Sequence, residues 1–282
     1  MYLSLHPSLI GKTSYHWNEM AQIAAKSGFA AIDVDITQLS QAQVANFEEC
    51  LASLGIRVGG LPLPVDFRHD EAAFERDFAS LPERAGLAAQ IGATVMCRAL
   101  PASSDYRKRD FLTTIRRRLR ACAAVLADYH LNLGLEFMGP LHMRTRFKHE
   151  FVWQFNETLE IAASCGPNVG MLLDAWHWHH SGASISDIGG AGDRIFHVQV
   201  ADSSNLLPEA VRDDQRVAPG EGVIDLQAFF TALEKTGYRA AVSPEIFGFQ
   251  ADPRAPEQGA ILVRRAISRL LGPSLKGAGS ND

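Results

Sequence analysis

Two hydrophobic periodicities alternate along the chain, and together they predict a repeated strand–helix unit. Short apolar runs, typical of buried strands, lie at 2–6, 31–35, 58–63, 94–100, 131–137, 169–174, 195–202 and 240–247. Longer segments with helical spacing lie at 14–27, 41–54, 71–90, 106–129, 152–164, 225–236 and 257–271, with only a short turn near 184–189. Gly28, Gly55 and Gly237 stand at or just past predicted helix ends, where a left-handed C-cap is expected.

Eight strand–helix units in series predict an α/β protein with a (β/α)8 barrel, formed as a single domain by residues 1–271. The last residues, 272–282, are rich in glycine, serine and charge, and we expect a flexible tail there. An open, doubly wound sheet is the structural alternative. That fold usually carries a glycine-rich phosphate loop after its first strand, and the segment HPSLIGKTS is not such a loop.

Composition narrows the class of protein. The 282 residues carry a formal net charge of −5 with a pI near 6.1, which excludes a nucleic-acid binder that works by bulk positive charge. No apolar run approaches the roughly 18 residues that a membrane span needs, and the N-terminal residues lack the pattern of a signal peptide. The four cysteines are widely spaced, as in a reducing compartment: Cys50, Cys97, Cys122 and Cys165. We expect a cytoplasmic protein with a small-molecule substrate and neither a nucleic-acid nor a membrane partner; homo-oligomerisation stays open.

Polar residues end four consecutive predicted strands in the second half of the chain. Strands five and six end in Glu136 and Asp174, strand seven carries Gln199, and strand eight ends in Glu245. In a barrel of this kind, the carboxyl ends of the strands form the active-site face. Three carboxylates held together there would repel one another unless a cation compensates them, and a hard divalent ion prefers such oxygen ligands. The pattern therefore predicts a divalent metal site at this rim.

The same segments resemble a known family. LEFMG at 135–139, VGMLLDAWHWHHSGAS at 169–184 and DDQRVAPGEGVIDLQAFFTALEKTGY at 213–238 are similar to sequences of the xylose-isomerase-like TIM-barrel superfamily of sugar isomerases and epimerases, and most of all to its inosose (2-keto-myo-inositol) isomerase type. The resemblance implies one divalent ion (Mg, Mn, Co or Zn) with four ligands: Glu136, Asp174, Gln199 and Glu245. It also implies that Glu136 and Glu245 form an acid–base pair on opposite faces of the substrate.

Four further residues are predicted to bind substrate. The resemblance implies that His177 contacts a substrate oxygen and that Arg216 anchors the substrate. His197 shares a face of its strand with Gln199, and His6 ends the first strand, so both are placed to line the pocket; a structural role for His6 is an equal alternative.

Two features depart from the inosose isomerase pattern. That group usually has histidine where this chain has Gln199, whereas hydroxypyruvate isomerases and dehydroshikimate dehydratases resemble this chain in having glutamine. The loop after the fifth strand is longer and carries Arg144, Arg146 and Lys148, which would favour an anionic substrate or would simply form a solvated surface.

The expected reaction is the isomerisation or epimerisation of a small keto-sugar or keto-polyol. It begins with removal of a proton beside a carbonyl, and a divalent cation stabilises the resulting enediolate as a Lewis acid. A dehydratase that uses the same base and metal is the alternative. A DNA-repair endonuclease on the same barrel is disfavoured because Leu63 and Leu100 stand where such enzymes need histidines. A catalytically inactive barrel is disfavoured because all four ligand positions carry oxygen donors.

Overall fold

A computed structural model describes residues 1–10, 16–68, 70–252 and 254–272, and its elements follow the predicted alternation. The strands are β1 (Tyr2–Leu5), β2 (Ala31–Ile32), β3 (Arg57–Val58), β4 (Leu61–Pro62), β5 (Val95–Ala99), β6 (Ser103–Ser104), β7 (Asn132–Glu136), β8 (His149–Glu150), β9 (Val169–Asp174), β10 (Ile195–Val200), β11 (Asp202–Ser203), β12 (Arg216–Val217) and β13 (Ala241–Pro244). The helices are α1 (Trp17–Ser27), α2 (Val44–Leu54), α3 (Glu71–Ala79), α4 (Leu81–Gln90), α5 (Lys108–Asp128), α6 (Leu141–Arg144), α7 (Phe155–Cys165), α8 (Ala175–His180), α9 (Ile185–Ala191), α10 (Leu226–Lys235) and α11 (Pro256–Leu271).

The main sheet is parallel and curls into a barrel. Its strand order is β3-β2-β1-β13-β10-β9-β7-β5-β4. The two outermost strands, β3 and β4, are halves of one chain segment: β3 pairs with β2, and β4 pairs with β5. This single segment therefore joins the two ends of the sheet, and the predicted (β/α)8 architecture is confirmed. Most helices pack their apolar faces on the outside of the strands, so the main core lies between the two layers.

Gly59 and Gly60 interrupt the third barrel strand, at a point where side chains from elsewhere in the barrel approach closely. A Cβ atom on Gly59 would overlap the hydroxyl of Ser4 and the carboxylate of Asp33. A Cβ atom on Gly60 would lie 2.8 Å from the ring of His197. The predicted strand at 58–63 is thus present, but it is split where the barrel floor leaves no room for a side chain.

Two predictions about helices were wrong. The predicted helix 71–90 is two helices, α3 and α4, which meet at Ser80, and Pro82 in the first turn of α4 has no N–H to donate. The predicted turn near 184–189 is the helix α9, whose N-terminus is closed by a capping box between Ser184 and Asp187.

Short antiparallel pairs that the hydrophobic pattern did not indicate lie in the loops that follow the strands. Strand β6 pairs with β8, and β11 pairs with β12. The second pair matters for the site because its register sets Arg216 opposite Ser203. The predicted tail lies outside the described residues, apart from Gly272. Across the described ranges, no helix combines the length and the apolar character needed to cross a bilayer.

Candidate active site

A cavity of about 380 Å³ opens at the carboxyl ends of the parallel strands. Strand register brings the predicted residues to this end together: Gln199 lies opposite Asp174 on one side and Ser243 on the other, and Glu136 lies opposite Ala99. The cavity lining includes five of the polar residues that the sequence singled out: His6, Glu136, His197, Gln199 and Glu245. The sequence prediction that these side chains share one pocket is therefore consistent with the geometry.

Gln199 and Glu245 are held side by side. Gln199 Nε2 donates a hydrogen bond to Glu245 Oε1 at 3.0 Å, and His6 Nε2 lies 3.3 Å from the same oxygen. The amide oxygen of Gln199 is buried and accepts from no residue in the described part of the chain. A buried acceptor without a donor costs free energy, so this oxygen is placed for a ligand rather than for folding.

Glu136, Asp174 and His177 form a second cluster. One ligand-type atom from each of these residues lies within 4.8 Å of the other two. Asp174 Oδ1 caps α8 by accepting from the backbone N–H of Trp176 at 2.8 Å, which fixes the carboxylate. Glu136 Oε1 lies 3.6 Å from His177 Nε2 but, like Nδ1 of that histidine, has no hydrogen-bond partner among the described residues.

Arg216 joins the two clusters from the side. Its Nη1 donates to Asp174 Oδ2 at 2.6 Å and lies 3.1 Å from Glu245 Oε2, while Nη2 and Nε donate to Asp213 Oδ1. Its guanidinium lies 4.5 Å from the centre of the Trp176 ring. Burial alone would lower the pKa of Arg216, but the surrounding carboxylates raise it, so the side chain is a fixed positive charge.

The pKa values of the site indicate that its carboxylates have too little positive charge nearby. Burial raises the pKa of Glu245 to about 8 in spite of Arg216, and burial together with the charges of Glu245 and Asp174 raises the pKa of Glu136 well above its usual range. Burial lowers the pKa of His177 well below its usual range and that of His6 to about 4, so neither histidine supplies a cation at neutral pH.

This donor set fits a divalent cation. It combines carboxylate oxygens with a neutral amide oxygen and a neutral imidazole, and several of these atoms are buried without partners in the described chain. A bound cation would stabilise the ionised form of these carboxylates and so lower their raised pKa values.

The cavity floor contains a residue that the sequence reading did not select. Asp33 follows the short strand β2, and its side chain lies 3.9 Å from His197 Nε2, which in turn contacts Ser243 Oγ at 3.1 Å. The signal was present in the run AIDVD at 31–35, where a polar residue interrupts an otherwise apolar strand.

Two arginines near the cavity were also missed. Arg68 and Arg98 line it, and both donate to the carboxylate of Asp66. The loop that follows β7 is placed differently: Arg144 stacks over the Trp153 ring at 4.0 Å and lines a separate surface cavity with His179.

Together the fold and the site define a class of protein: a parallel α/β barrel with acidic and amide side chains at the carboxyl ends of its last strands. The sequence profile of the xylose isomerase-like TIM barrel matches residues 21–266, so this chain belongs to that family. A solved xylose isomerase domain protein from Alicyclobacillus acidocaldarius superposes with a TM-score of 0.88 at 28% identity, covering 97% of this chain and 99% of that one. The solved IolI protein with a bound zinc atom superposes at 0.81 with 21% identity, covering 96% and 98%.

Sequence relatives match over shorter segments. An inosose isomerase of Halalkalibacterium halodurans is 33% identical over 137 residues, which are 45% of this chain and 46% of that protein. A 3-dehydroshikimate dehydratase of Pseudomonas putida is 37% identical over 94 residues, 31% of this chain and 14% of that protein. The matched segment thus spans about half the length of the inosose isomerase and much less of the dehydratase.

Proposed function

We propose that the protein is a divalent-metal-dependent isomerase or epimerase that acts on a small keto-sugar or an inosose-like keto-polyol. The observation that carries this proposal is the placement of Glu136 and Glu245 at one cavity, together with the buried, unpartnered amide oxygen of Gln199 in the described structure. The family, the zinc bound by a protein of the same fold and the local likeness to an inosose isomerase support it.

Glu136, Asp174, Gln199 and Glu245 would hold the cation, and His177 is a further donor beside Glu136 and Asp174. A bound divalent ion supplies Lewis-acid stabilisation of the negative charge that develops on substrate oxygens. The chain's own carboxylates then move the proton: one oxygen of Glu136 or Glu245 removes it from the carbon beside the carbonyl, and the same or the other carboxylic acid returns it.

The neighbouring groups suit these roles. Arg216 contacts Glu245 Oε2 and Asp174 Oδ2 from the buried side, and Glu245 also lines the cavity, where it can reach substrate. His6, neutral at pH 7, contacts Glu245 and orients it. His197 lies at the floor, where it would contact substrate together with Asp33.

A metal-dependent dehydratase is the second candidate, because the segment similar to a 3-dehydroshikimate dehydratase is 37% identical. It would use the same base to expel a β-hydroxyl group as water. His177, buried beside Glu136, is a candidate acid for the leaving hydroxyl group, although its lowered pKa disfavours that role.

The two reactions separate in heavy water. The purified protein, reconstituted with Mg²⁺, Mn²⁺, Co²⁺ or Zn²⁺, is incubated in D2O with inososes, ketohexoses, hydroxypyruvate and dehydroshikimate. We expect an isomeric product that carries deuterium next to the carbonyl, and loss of activity in excess EDTA. A product lighter by one water, with a new conjugated absorbance, would favour the dehydratase. Neither product from any compound, or full activity of metal-free protein in EDTA, would contradict the proposal.

A further inference from the structure

The carboxylate of Asp33 is held at one oxygen only. Its Oδ1 accepts from Ser4 Oγ at 2.6 Å and from the backbone N–H of Gly60 at 2.8 Å. No residue in the described chain donates a hydrogen bond to Oδ2, and His197 Nε2 lies 3.9 Å away, beyond hydrogen-bond distance. The side chain of Asp33 is 9% exposed, and Asp33 lines the cavity.

This geometry fixes a hydrogen-bond acceptor at the cavity floor. Both donors to Oδ1 come from rigid parts of the barrel: Ser4 is fully buried in β1, and Gly60 sits in the break between β3 and β4. Asp33 therefore cannot turn away from the cavity without breaking two buried hydrogen bonds. An ionised carboxylate has only acceptor positions, so its free oxygen is complementary to a group that donates, such as a hydroxyl.

The basic side chains around the cavity do not offset the preference of Asp33 for a hydrogen-bond donor over an anion. Arg68 and Arg98, which line the cavity, both donate to Asp66. The basic residues of the loop after β7 are absent from the described lining of the cavity. An anionic group near the floor would face Asp33 without a dedicated cation beside it, and like charges at short distance repel.

We propose that Asp33 Oδ2, presented at the floor of the cavity beside His197, binds a hydroxyl group of a neutral polyol and disfavours substrates that carry an anionic group at that position. The inference rests on the proposed function, because it names the substrate class of the same site. It places the specificity of the site on the first half of the barrel, away from the predicted metal ligands.

The test compares two ring compounds of similar size that do not react: neutral myo-inositol and anionic shikimate. Asp33→Asn is the informative variant, because the amide oxygen still accepts from Ser4 and Gly60 while the cavity-facing atom becomes a donor. Asp225→Asn is the matched control. It removes the same charge outside the cavity, at the N-terminus of α10, where Oδ1 caps the helix by accepting from the Ala228 N–H at 2.9 Å.

We expect the unaltered protein to bind myo-inositol more tightly than shikimate in calorimetric titrations. Asp33→Asn should weaken myo-inositol binding about tenfold and tighten shikimate binding, whereas Asp225→Asn should change the ratio of the two affinities less than about twofold. With an inosose as substrate, the Asp33→Asn effect should fall on KM rather than on kcat. Equal effects of the two variants, an unchanged ratio in Asp33→Asn, or tighter binding of shikimate by the unaltered protein would overturn the inference.

A second measurement uses the unaltered protein, so its result does not depend on whether Asp33→Asn folds. Monodeoxy inositols are titrated into the unaltered protein, and one of them should bind about tenfold more weakly than myo-inositol, because its absent hydroxyl leaves Asp33 without a donor. If all bind as tightly as myo-inositol, the inference fails. Failure of the proposed function looks different: no carbonyl compound would then gain deuterium, although the preference for myo-inositol and its dependence on Asp33 persist.

Discussion

Carboxylates on two sides of the barrel rim differ in how much positive charge the chain places beside them. On the side of the first four strands, Asp66 accepts from both Arg68 and Arg98. Although burial would raise the pKa of Asp66, the hydrogen bonds from Arg68 and the two guanidinium charges hold it well below its usual range. On the side of the last four strands, burial raises the pKa of both Glu136 and Glu245.

This difference in pKa distinguishes a carboxylate that serves the fold from carboxylates that need a bound ligand to balance their charge. Asp66 is compensated by the protein itself, so it contributes to stability. Glu245 shares the guanidinium of Arg216 with Asp174 and Asp213, and Glu136 faces the neutral His177 instead. The carboxylates of the last four strands therefore lack compensating charge until a cation or substrate arrives. Clusters of carboxylates with raised pKa values in a cleft are typical of functional sites.

The largest expected effect comes from Glu245→Gln. The amide keeps the size of the side chain but can neither accept the substrate proton nor contribute a charge to the cation. We expect kcat to fall about 10³-fold, with only partial loss of bound metal measured by elemental analysis. Glu221→Gln, an exposed change in the loop after β12, is the control and should leave both quantities unchanged. Full activity of Glu245→Gln would remove Glu245 from the proposed acid–base pair.

Arg216→Met tests the shared guanidinium. Without it, Asp174 and Glu245 lose their buried counter-charge, and we expect the free energy of unfolding of metal-free protein to fall by about 3–5 kcal/mol in urea titrations. Arg254→Met is the matched control, since the Arg254–Asp252 ion pair is exposed to solvent and its loss should leave the free energy of unfolding nearly unchanged. Divalent metal should restore part of the loss in Arg216→Met. If metal makes the variant no more stable, the carboxylates are not its ligands.

Asp66→Asn tests the compensated carboxylate through the pH dependence of the free energy of unfolding. Because the folded pKa of Asp66 is depressed, its contribution is fully present above the unfolded pKa of about 3.9 and is lost as the pH falls below it toward the folded pKa. We expect the variant to be less stable by about 1 kcal/mol at pH 7, with the difference shrinking steadily between pH 4 and pH 2. A difference that is constant over this range would mean that the ion pairs with Arg68 and Arg98 do not contribute.

Gln199→His is expected to have the smallest effect. Both side chains offer one neutral donor of similar reach, so bound metal should change less than about twofold and the thermal midpoint only slightly. Loss of metal with an intact fold would show that the site depends on the amide in particular. An insoluble product would count against Gln199 being placed as a ligand.

The order of strands and helices could be predicted from the sequence because each strand–helix unit has its own local pattern of apolar and polar residues. Eight apolar runs of strand length alternate with seven segments of helical spacing, several of them followed by a glycine, and polar residues lie at the ends of strands five to eight. Since parallel strands present their carboxyl ends on one face, Glu136, Asp174, Gln199 and Glu245 could be placed together before any distance was known.

Only the tertiary structure decided how charges and space are shared. The sequence does not show that Asp66 accepts from both Arg68 and Arg98, that Arg216 contacts both Asp174 and Glu245, or that Asp33 keeps one oxygen towards the cavity. Several of these contacts join residues far apart in the chain, such as Ser4 with Asp33, 29 positions apart, and Asp66 with Arg98, 32 positions apart. They depend on strand order, register and the break at Gly59 and Gly60, none of which leaves a periodic trace along the chain.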